Sequence, residues 1–288
     1  MNPPHPSTPD WVIYTPDSPV RRPGPFLAAM LRDLAASRGL AWRLFVRDLS
    51  AMYRQSVLGY VWAFVPPILA ALPWMILNRE NILTVGDTPV PYPAFVLAGT
   101  LLWQTFIDAL NAPLKQTTAA RGMLARIQFP REALVLAGLA ETAWNFLIRL
   151  LLLIPVLALA DVPLAPSLLW APLGIASLLL LGTAIGLVIT PVGLLYTDIG
   201  RAIPIVATFG MLLTPVVYPP RPEGWVGWLA TWNPVSPVLV TTRDWLTAQP
   251  PQLLAGFGWV TLAALAVFLA AWFAYRLAMP MIVERMGG

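Results

Sequence analysis

Six long, predominantly apolar segments constrain this chain more than any other feature of its sequence. Each has at least 17 residues, the lower end of the length with which an apolar helix crosses the roughly 30 Å hydrocarbon core of a bilayer. The composition agrees, because 58% of the residues are hydrophobic and only 11% are charged, against about 25% charged residues in an average soluble domain. The sequence therefore predicts an all-α integral membrane protein with six transmembrane helices, over residues 57–77, 93–112, 133–159, 167–190, 202–218 and 252–275.

The basic residues predict how these helices are oriented, since Lys and Arg favour the cytoplasmic side of a membrane. They are dense before the first span and in the second loop, whereas the first, third and fifth loops contain only Arg79, Arg221 and Arg243. This asymmetry accounts for the formal net charge of +4 without a nucleic-acid partner. With six spans, both termini lie in the cytoplasm. Residues 1–22 show no signal-peptide pattern, so we expect the first membrane helix to direct insertion.

The sequence divides into a tail, an amphipathic segment and a membrane domain. Residues 1–25 are rich in Pro and are predicted to be a disordered cytoplasmic tail. Residues 26–56 are predicted to form amphipathic interface helices in the membrane surface, because a helical apolar stripe stands directly before the first span. Residues 57–288 form the six-helix transmembrane domain. The apolar stripe holds Trp42, Phe45, Leu49 and Met52, and Arg43, Arg47 and Arg54 lie on an adjacent face.

The fifth loop, residues 219–251, is unusual because it carries four Trp residues among Pro and Gly. Trp prefers the membrane interface, where an apolar ring meets a wet N–H group. The pattern predicts a re-entrant helical loop between helices 5 and 6, and a plain aromatic anchor is the alternative. The uncharged run continues past the fourth span to Thr197. Pro191 and Gly193 predict that this run does not form one straight helix. The four loop residues are Trp225, Trp228, Trp232 and Trp245.

Motifs for chemistry within this chain are missing from the sequence. Lys115 is the only Lys and follows Asn-Ala-Pro-Leu, so the GxxxxGK phosphate loop cannot be written. The chain has no Cys, its single His5 lies in the tail, and its carboxylates show no metal-ligand spacing. We therefore predict no catalytic residue, no metal site and no cofactor in this chain.

Three charged residues fall within the predicted spans. Asp108, Glu141 and Arg149 must face protein or water, because a charge is costly in hydrocarbon. Glu141 and Arg149 are eight residues apart, about 80° around a helix, so both can face one interior. One interpretation is a buried ionic link to another helix or subunit. The other is a polar stretch of a transport pathway.

Five sequence motifs carry a family resemblance. They are MYRQSVLGYVWAFVPPIL from Met52, YPAFVLAGTLLWQTF from Tyr92, ARIQFPREAL from Ala125, LLYTDIGRAIPI from Leu194 with TPVVYP after it, and NPVSPVL from Asn233. In this order they resemble the polysaccharide-export permeases of the type-2 ABC exporter class, which move O-antigen, capsule, teichoic acid or related glycans. The resemblance covers nearly everything after the tail, which is longer and richer in Pro than is typical of the family.

The resemblance implies a function and an assembly. The chain would be the transmembrane subunit of an ATP-driven exporter that moves a lipid-linked polysaccharide such as O-antigen across the bacterial inner membrane. It would form a homodimer with two copies of a cytoplasmic ATPase, which bind ATP and Mg. Alternatives are a type-2 ABC permease for a drug or lipid, a secondary transporter, and a membrane-embedded glycan-modifying enzyme, for which Tyr196 and Asp198 are the polar candidates.

The resemblance also implies roles for residues, and spacing adds the aromatic rings, since rings three or four apart share a helix face and can stack on sugars. The cytoplasmic mouth and substrate channel are predicted at Arg54, Gln55, Leu58, Gly59, Tyr60, Phe64, Trp103, Phe106, Glu141 and Arg149. ATPase coupling is predicted at Trp42, Phe45, Arg47, Leu49, Arg126, Phe129, Pro130 and Arg131. The outer gate is predicted at Trp225, Trp228 and Trp232.

Overall fold

The computed structural model describes residues 23–53, 61–62, 64–82, 86–124, 126–127, 129–220 and 224–287. Over these ranges every regular element is a helix, which confirms the all-α prediction. The helices are α1 (Pro23–Tyr53), α2 (Val65–Arg79), α3 (Tyr92–Ala119), α4 (Arg121–Leu124), α5 (Glu132–Leu159), α6 (Ala171–Leu195), α7 (Thr197–Leu213), α8 (Gly224–Trp232), α9 (Val235–Leu246) and α10 (Leu254–Gly287). A 3-10 turn, Pro166–Trp170, leads into α6.

Four of these helices are long and apolar enough to span a membrane. Among the described residues they cover Tyr92–Ala119, Glu132–Leu159, Pro166–Leu195 and Leu254–Val283. These ranges correspond to the predicted second, third, fourth and sixth spans. At the predicted first and fifth spans the described helices are shorter, with 15 residues in α2 and 17 in α7. The first and fifth spans therefore stay predictions.

The uncharged run to Thr197 is not one helix, as predicted, but it is interrupted at the extended Tyr196 rather than at Pro191, because α6 continues through Pro191 to Leu195. Proline in a helix removes one backbone hydrogen bond, but neighbouring helices and polar side chains compensate for this loss in membrane proteins. Pro113 of α3 and Pro155 of α5 also lie inside helices. A single Pro therefore does not mark a helix end in this chain.

Helix α3 lies at the centre of the bundle and packs closely against α6. Small residues on α6 permit the approach, since a Cβ added at Gly182 would lie 2.7 Å from the Phe106 carbonyl oxygen. A Cβ at Gly186 would lie 2.3 Å from the Leu110 carbonyl oxygen. The two glycines are four residues apart on one face of α6, the spacing that brings membrane helices into backbone contact.

Replacing Gly186 with Ala is expected to destabilise the bundle by about 1–3 kcal/mol or more, because the new methyl group meets the α3 backbone rather than a flexible side chain. Thermal unfolding in detergent measures this effect as a lower melting temperature. Gly258→Ala on α10 is the matched control, since its added Cβ has no heavy atom within 4 Å. Equal melting temperatures for the two variants would contradict the packing of α3 on α6.

The first helix packs along α5 with a stripe that shares only the buried Phe45 with the one predicted. Its buried side chains are Met30, Ser37, Ala41, Leu44 and Phe45. Trp42 and Met52 of the predicted stripe are exposed, and Leu49 is half-buried. The small Ser37 and Ala41 are fully or nearly fully buried, so close contact with α5 selects this face rather than the one with the largest apolar side chains.

Candidate functional site

The predicted cytoplasmic mouth is only partly covered by the structure. Arg54, Gln55, Leu58, Gly59 and Tyr60 lie outside the described residues. Phe64 is described and half-buried, and it directly precedes α2. The roles of these residues therefore stay predictions.

The predicted aromatic pair of α3 lies inside the subunit. Trp103 and Phe106 are only 6% and 4% exposed, and their ring centroids are 5.5 Å apart. Trp103 also reaches α7, where a Cβ added at Gly210 would lie 3.0 Å from its ring. Within one subunit the two rings therefore pack against neighbouring helices, and their contact with a substrate stays a prediction.

A polar seam runs between α3 and α5, on a different face of α3 from the aromatic pair. It includes the charged residues noted in the sequence and brings them together in two ion pairs. Lys115 Nζ lies 2.6 Å from Glu141 Oε1, and Arg149 Nη2 lies 2.7 Å from Asp108 Oδ2. The seam consists of Gln104, Asp108, Asn111 and Lys115 of α3 with Glu141, Asn145 and Arg149 of α5.

The ion pairs show that Glu141 and Arg149 are linked to another helix of the same chain. Gln116 Nε2 adds a second donor to Glu141, at 2.9 Å from Oε2. Several polar atoms of the seam are nevertheless buried without a hydrogen-bond partner, namely Gln104 Oε1, the Nε and Nη1 groups of Arg149, and Asp108 Oδ2, whose contact with Arg149 is an ion pair only. The ionic link is therefore real but leaves hydrogen-bonding capacity open.

The predicted coupling residues of the second loop lie where α3 ends and α5 begins, whereas those of α1 lie farther along α5, because Trp144 is twelve residues beyond Glu132 at the start of that helix. Phe45 is buried and its ring lies 6.4 Å from that of Trp144, while Trp42 and Arg47 are exposed. In the second loop Arg126 is exposed, and Phe129, Pro130 and Arg131 are half-buried. Burial lowers the pKa of the Arg131 guanidinium from its ordinary value, although the nearby Tyr275 and Glu132 oppose the shift.

One residue missed in the sequence ties three helices together at this end. Arg276 of α10 forms ion pairs with Asp33 of α1 and, at 3.0 Å, with Glu132 of α5. Its neighbour Tyr275 is buried, and its hydroxyl lies 3.2 Å from Thr117 Oγ1 of α3. We call Asp33, Glu132 and Arg276 the three-helix clamp. Only the tertiary fold brings these residues together, so periodicity could not find them.

The Trp-rich fifth loop contains the two helices α8 and α9. Trp228 and Trp232 of α8 are exposed, and their ring centroids are 6.3 Å apart, whereas the side chain of Trp225 lies outside the described residues. Trp245 is buried, with its ring 5.1 Å from that of Phe257 on α10. Every residue of α9 is buried, where the helix packs among α3, α6 and α10.

The second residue missed in the sequence is Arg243 of α9, which is 1% exposed. Its Nη1 donates to the carbonyl oxygens of Pro215 and Val216, at 2.8 and 3.1 Å. Its guanidinium carbon lies 3.8 Å from the centre of the Phe95 ring. Burial lowers the pKa of Arg243 to about 10, and the charge of Asp244 opposes the shift, so the side chain stays protonated at neutral pH. Arg243 therefore joins α9 to the turn that follows α7.

Comparison with known sequence families identifies the family of this chain. The family described as ABC-2 type transporter matches residues 40–247, which is more than half of the chain. The chain belongs to this family. This ABC-2 chain is therefore a multi-pass membrane protein and a transporter permease subunit rather than an enzyme, as the sequence predicts.

Similar proteins of known name include two permeases and one transport protein. The chain is 27% identical over 195 residues to the O-antigen export system permease protein RfbA of Myxococcus xanthus, covering 66% of this chain and 72% of that protein. It is 24% identical over 204 residues to RfbA of Klebsiella pneumoniae, covering 69% and 76%. It is 24% identical over 233 residues to the polysialic acid transport protein KpsM of Escherichia coli, covering 78% and 86%.

Proposed function

We propose that this ABC-2 permease exports a polysaccharide such as O-antigen, in lipid-linked form, across the bacterial inner membrane. The observation that carries the proposal is the family match over residues 40–247, together with relatives named for O-antigen export and polysialic acid transport. Hydrolysis of ATP, which a separate cytoplasmic ATPase binds together with Mg, supplies the free energy for export.

The complete exporter in this proposal is a homodimer of permeases with two ATPase subunits. Helix α7 supports the contact between permeases, because Ile203 is its only buried residue among those described. Its exposed side chains include Ile205, Val206 and Phe209, which form an apolar surface that a second copy can cover. The translocation pathway then lies between the two copies, near α7 and α2.

The topology in this proposal has six spans, with both termini in the cytoplasm and α2 and α7 as the first and fifth spans. Helices α8 and α9 form the re-entrant gate at the outer leaflet, which the complete burial of α9 supports. The exposed rings of Trp228 and Trp232 then face the outer end of the pathway. Arg54 to Gly59 form the cytoplasmic mouth, Tyr60 is a channel ring, and Glu141 and Arg149 belong to a polar stretch of the route.

Transport by inside-out vesicles tests the proposed function. Vesicles that contain this chain and its partner ATPase are expected to take up lipid-linked O-antigen when ATP is added. The two proteins are also expected to co-purify. Transport that continues without ATP on a proton gradient, with no ATPase bound to the chain, would show that the proposal is wrong.

The coupling role of the second loop gives a separate prediction. Arg126→Ala is expected to weaken ATPase association by about tenfold, because Arg126 is exposed and a loop cation at an interface contributes on the order of 1–2 kcal/mol. Adding Arg131→Ala should weaken association further. Pull-down of the ATPase at increasing salt concentration measures the effect.

Arg79→Ala is the matched control, because Arg79 is also exposed but ends α2 on the opposite side of the proposed membrane topology. It removes the same charge and should leave ATPase association unchanged. Wild-type association of the Arg126→Ala, Arg131→Ala double variant would remove the second loop from the ATPase interface.

A further inference from the structure

The polar residues of α3 in the seam form a narrow continuous stripe. Gln104, Asp108, Asn111 and Lys115 are spaced by four, three and four residues, so they fall within an arc of about 60°. The stripe is about 16 Å long, since a helix rises 1.5 Å per residue. It therefore extends from the Lys115 end of α3 through roughly half the thickness of the hydrocarbon layer.

The stripe cannot face lipid. The side chains of Asp108 and Lys115 are 35% and 53% exposed in the single subunit, although both lie in a helix that spans the membrane. Charged groups on a spanning helix face protein or water, because hydrocarbon does not solvate them. The open side of the seam is therefore covered by water, by a polar ligand or by another protein surface.

The seam also holds buried hydrogen-bonding groups of both kinds that lack a partner. Arg149 is nine-tenths buried, and its Nε and Nη1 groups are donors without an acceptor. Gln104 Oε1, also on the stripe, is a buried acceptor without a donor. Buried polar groups are normally satisfied, so these atoms indicate a ligand or waters that both accept and donate hydrogen bonds.

The charge of the seam decides which class of ligand fits. Lys115 and Arg149 are balanced by Glu141 and Asp108 in two ion pairs, so the seam has no net charge. A phosphate would need an excess of positive charge and would compete with the two carboxylates for the guanidinium and the ammonium. A sugar hydroxyl both donates and accepts, so it can use the open groups without breaking either ion pair.

We propose that the α3–α5 polar seam is a contact track for the uncharged sugar residues of the exported chain, whose hydroxyl groups bond to Gln104, Asp108 and Arg149. This inference rests on the proposed export function and specifies which part of the cargo meets which helices. The track serves the glycan, and the lipid phosphate binds elsewhere. Because the track has few hydrogen-bonding groups without a protein partner, each sugar is held weakly and the glycan chain can slide.

Site-specific photo-crosslinking tests the track. A diazirine amino acid replaces Asn111, which is half-buried in the middle of the stripe, in cells that export a tritium-labelled neutral polymannose O-antigen. Illumination during export is expected to attach tritium to the protein. Leu147→diazirine is the control, because Leu147 is exposed on α5 outside the seam and should capture little label.

Mild acid, which cleaves the bond between sugar and lipid diphosphate, separates the sources of the label. Tritium that stays on the protein supports a glycan contact, and tritium that is released shows capture of the carrier lipid and overturns the proposal. A crosslink between two copies of the chain at position 111 in place of the tritium label would also overturn it, in favour of a closed subunit interface without glycan. If the parent chain exports no O-antigen at all, the proposed function itself fails. Export without label at position 111 rejects the track alone.

A substitution gives a second readout. Gln104→Leu removes one open acceptor and is expected to slow export by about threefold, while ATPase association and the melting temperature stay unchanged. Leu147→Ala is expected to leave export at the parent rate. Unaltered export by Gln104→Leu would show that the sugars do not contact this end of the stripe and would reject the track as proposed.

Discussion

Replacing Arg243 with Met is expected to reduce export by about tenfold or more, because each buried carbonyl that loses its donor costs about 1–3 kcal/mol. The carbonyl oxygens of Pro215 and Val216 receive their hydrogen bonds from Arg243. They lie in the turn that follows α7, where the helix has ended and its own backbone bonds no longer satisfy them. Without the guanidinium, this turn and α9 keep only the hydrogen bond from Asn233 to Thr214 among the polar links of the described residues.

Two variants separate the geometry of Arg243 from its charge. Arg243→Lys keeps the charge but loses the planar group that stacks on Phe95 and reaches two carbonyls, so we expect an intermediate rate of export. Arg79→Met makes the same change at an exposed position and should export normally.

Surface O-antigen measures the function, and thermal unfolding followed by tryptophan fluorescence measures the fold. We expect Arg243→Met to lower both export and the melting temperature. Arg243→Lys should reduce export while leaving the melting temperature close to that of the parent. Parent-level export by Arg243→Met would show that α9 does not need its link to the turn after α7.

The four spans that the structure confirms by length and composition could be predicted, because the length of an apolar segment is counted from the sequence alone. Segments near α3, α5, α6 and α10 needed only a count of apolar residues. The helix ends were harder, since the tertiary packing that compensates a Pro is not local. Pro191 therefore predicted the interruption of the uncharged run earlier than Tyr196, where the structure has it.

The site was harder to predict because its residues meet across helices. Glu141 and Arg149 stood out as charges in an apolar run, yet their partners Lys115 and Asp108 could be assigned only in the structure. Arg243 lies in the fifth loop, which the charge pattern assigned to the non-cytoplasmic side of the membrane, so the burial of its side chain was not predicted. On α1 the apolar pattern favoured the larger side chains, whereas close contact with α5 buries the small Ser37.

Helix α10 connects the two ends of the molecule. Near its start, Phe257 packs against Trp245, and a Cβ added at Gly256 would lie 3.0 Å from Pro237 of α9. Near its end, Tyr275 and Arg276 contact α3, α1 and α5. A displacement of α1 would therefore act on α10 through the three-helix clamp, and α10 connects the clamp to α9.

Charge reversal at the clamp tests this connection. Arg276→Glu is expected to reduce export by about tenfold or more, because it places a third carboxylate beside Asp33 and the buried Glu132, and repulsion between partly buried like charges costs on the order of several kcal/mol. Helix α10 should still insert, since its apolar segment is unchanged. The measured quantities are surface O-antigen, ATPase association and the amount of O-antigen exported per ATP hydrolysed.

A compensating change distinguishes the clamp from general damage. Asp33→Arg combined with Arg276→Glu restores one ion pair at the more accessible carboxylate, so export should recover in part, and the yield per ATP should rise with it. Arg38→Glu reverses an exposed charge on α1, the helix of Asp33, and should have little effect on the yield per ATP. If Arg276→Glu exports fully, or if the compensating change restores neither export nor the yield per ATP, the clamp does not couple α1 to α10.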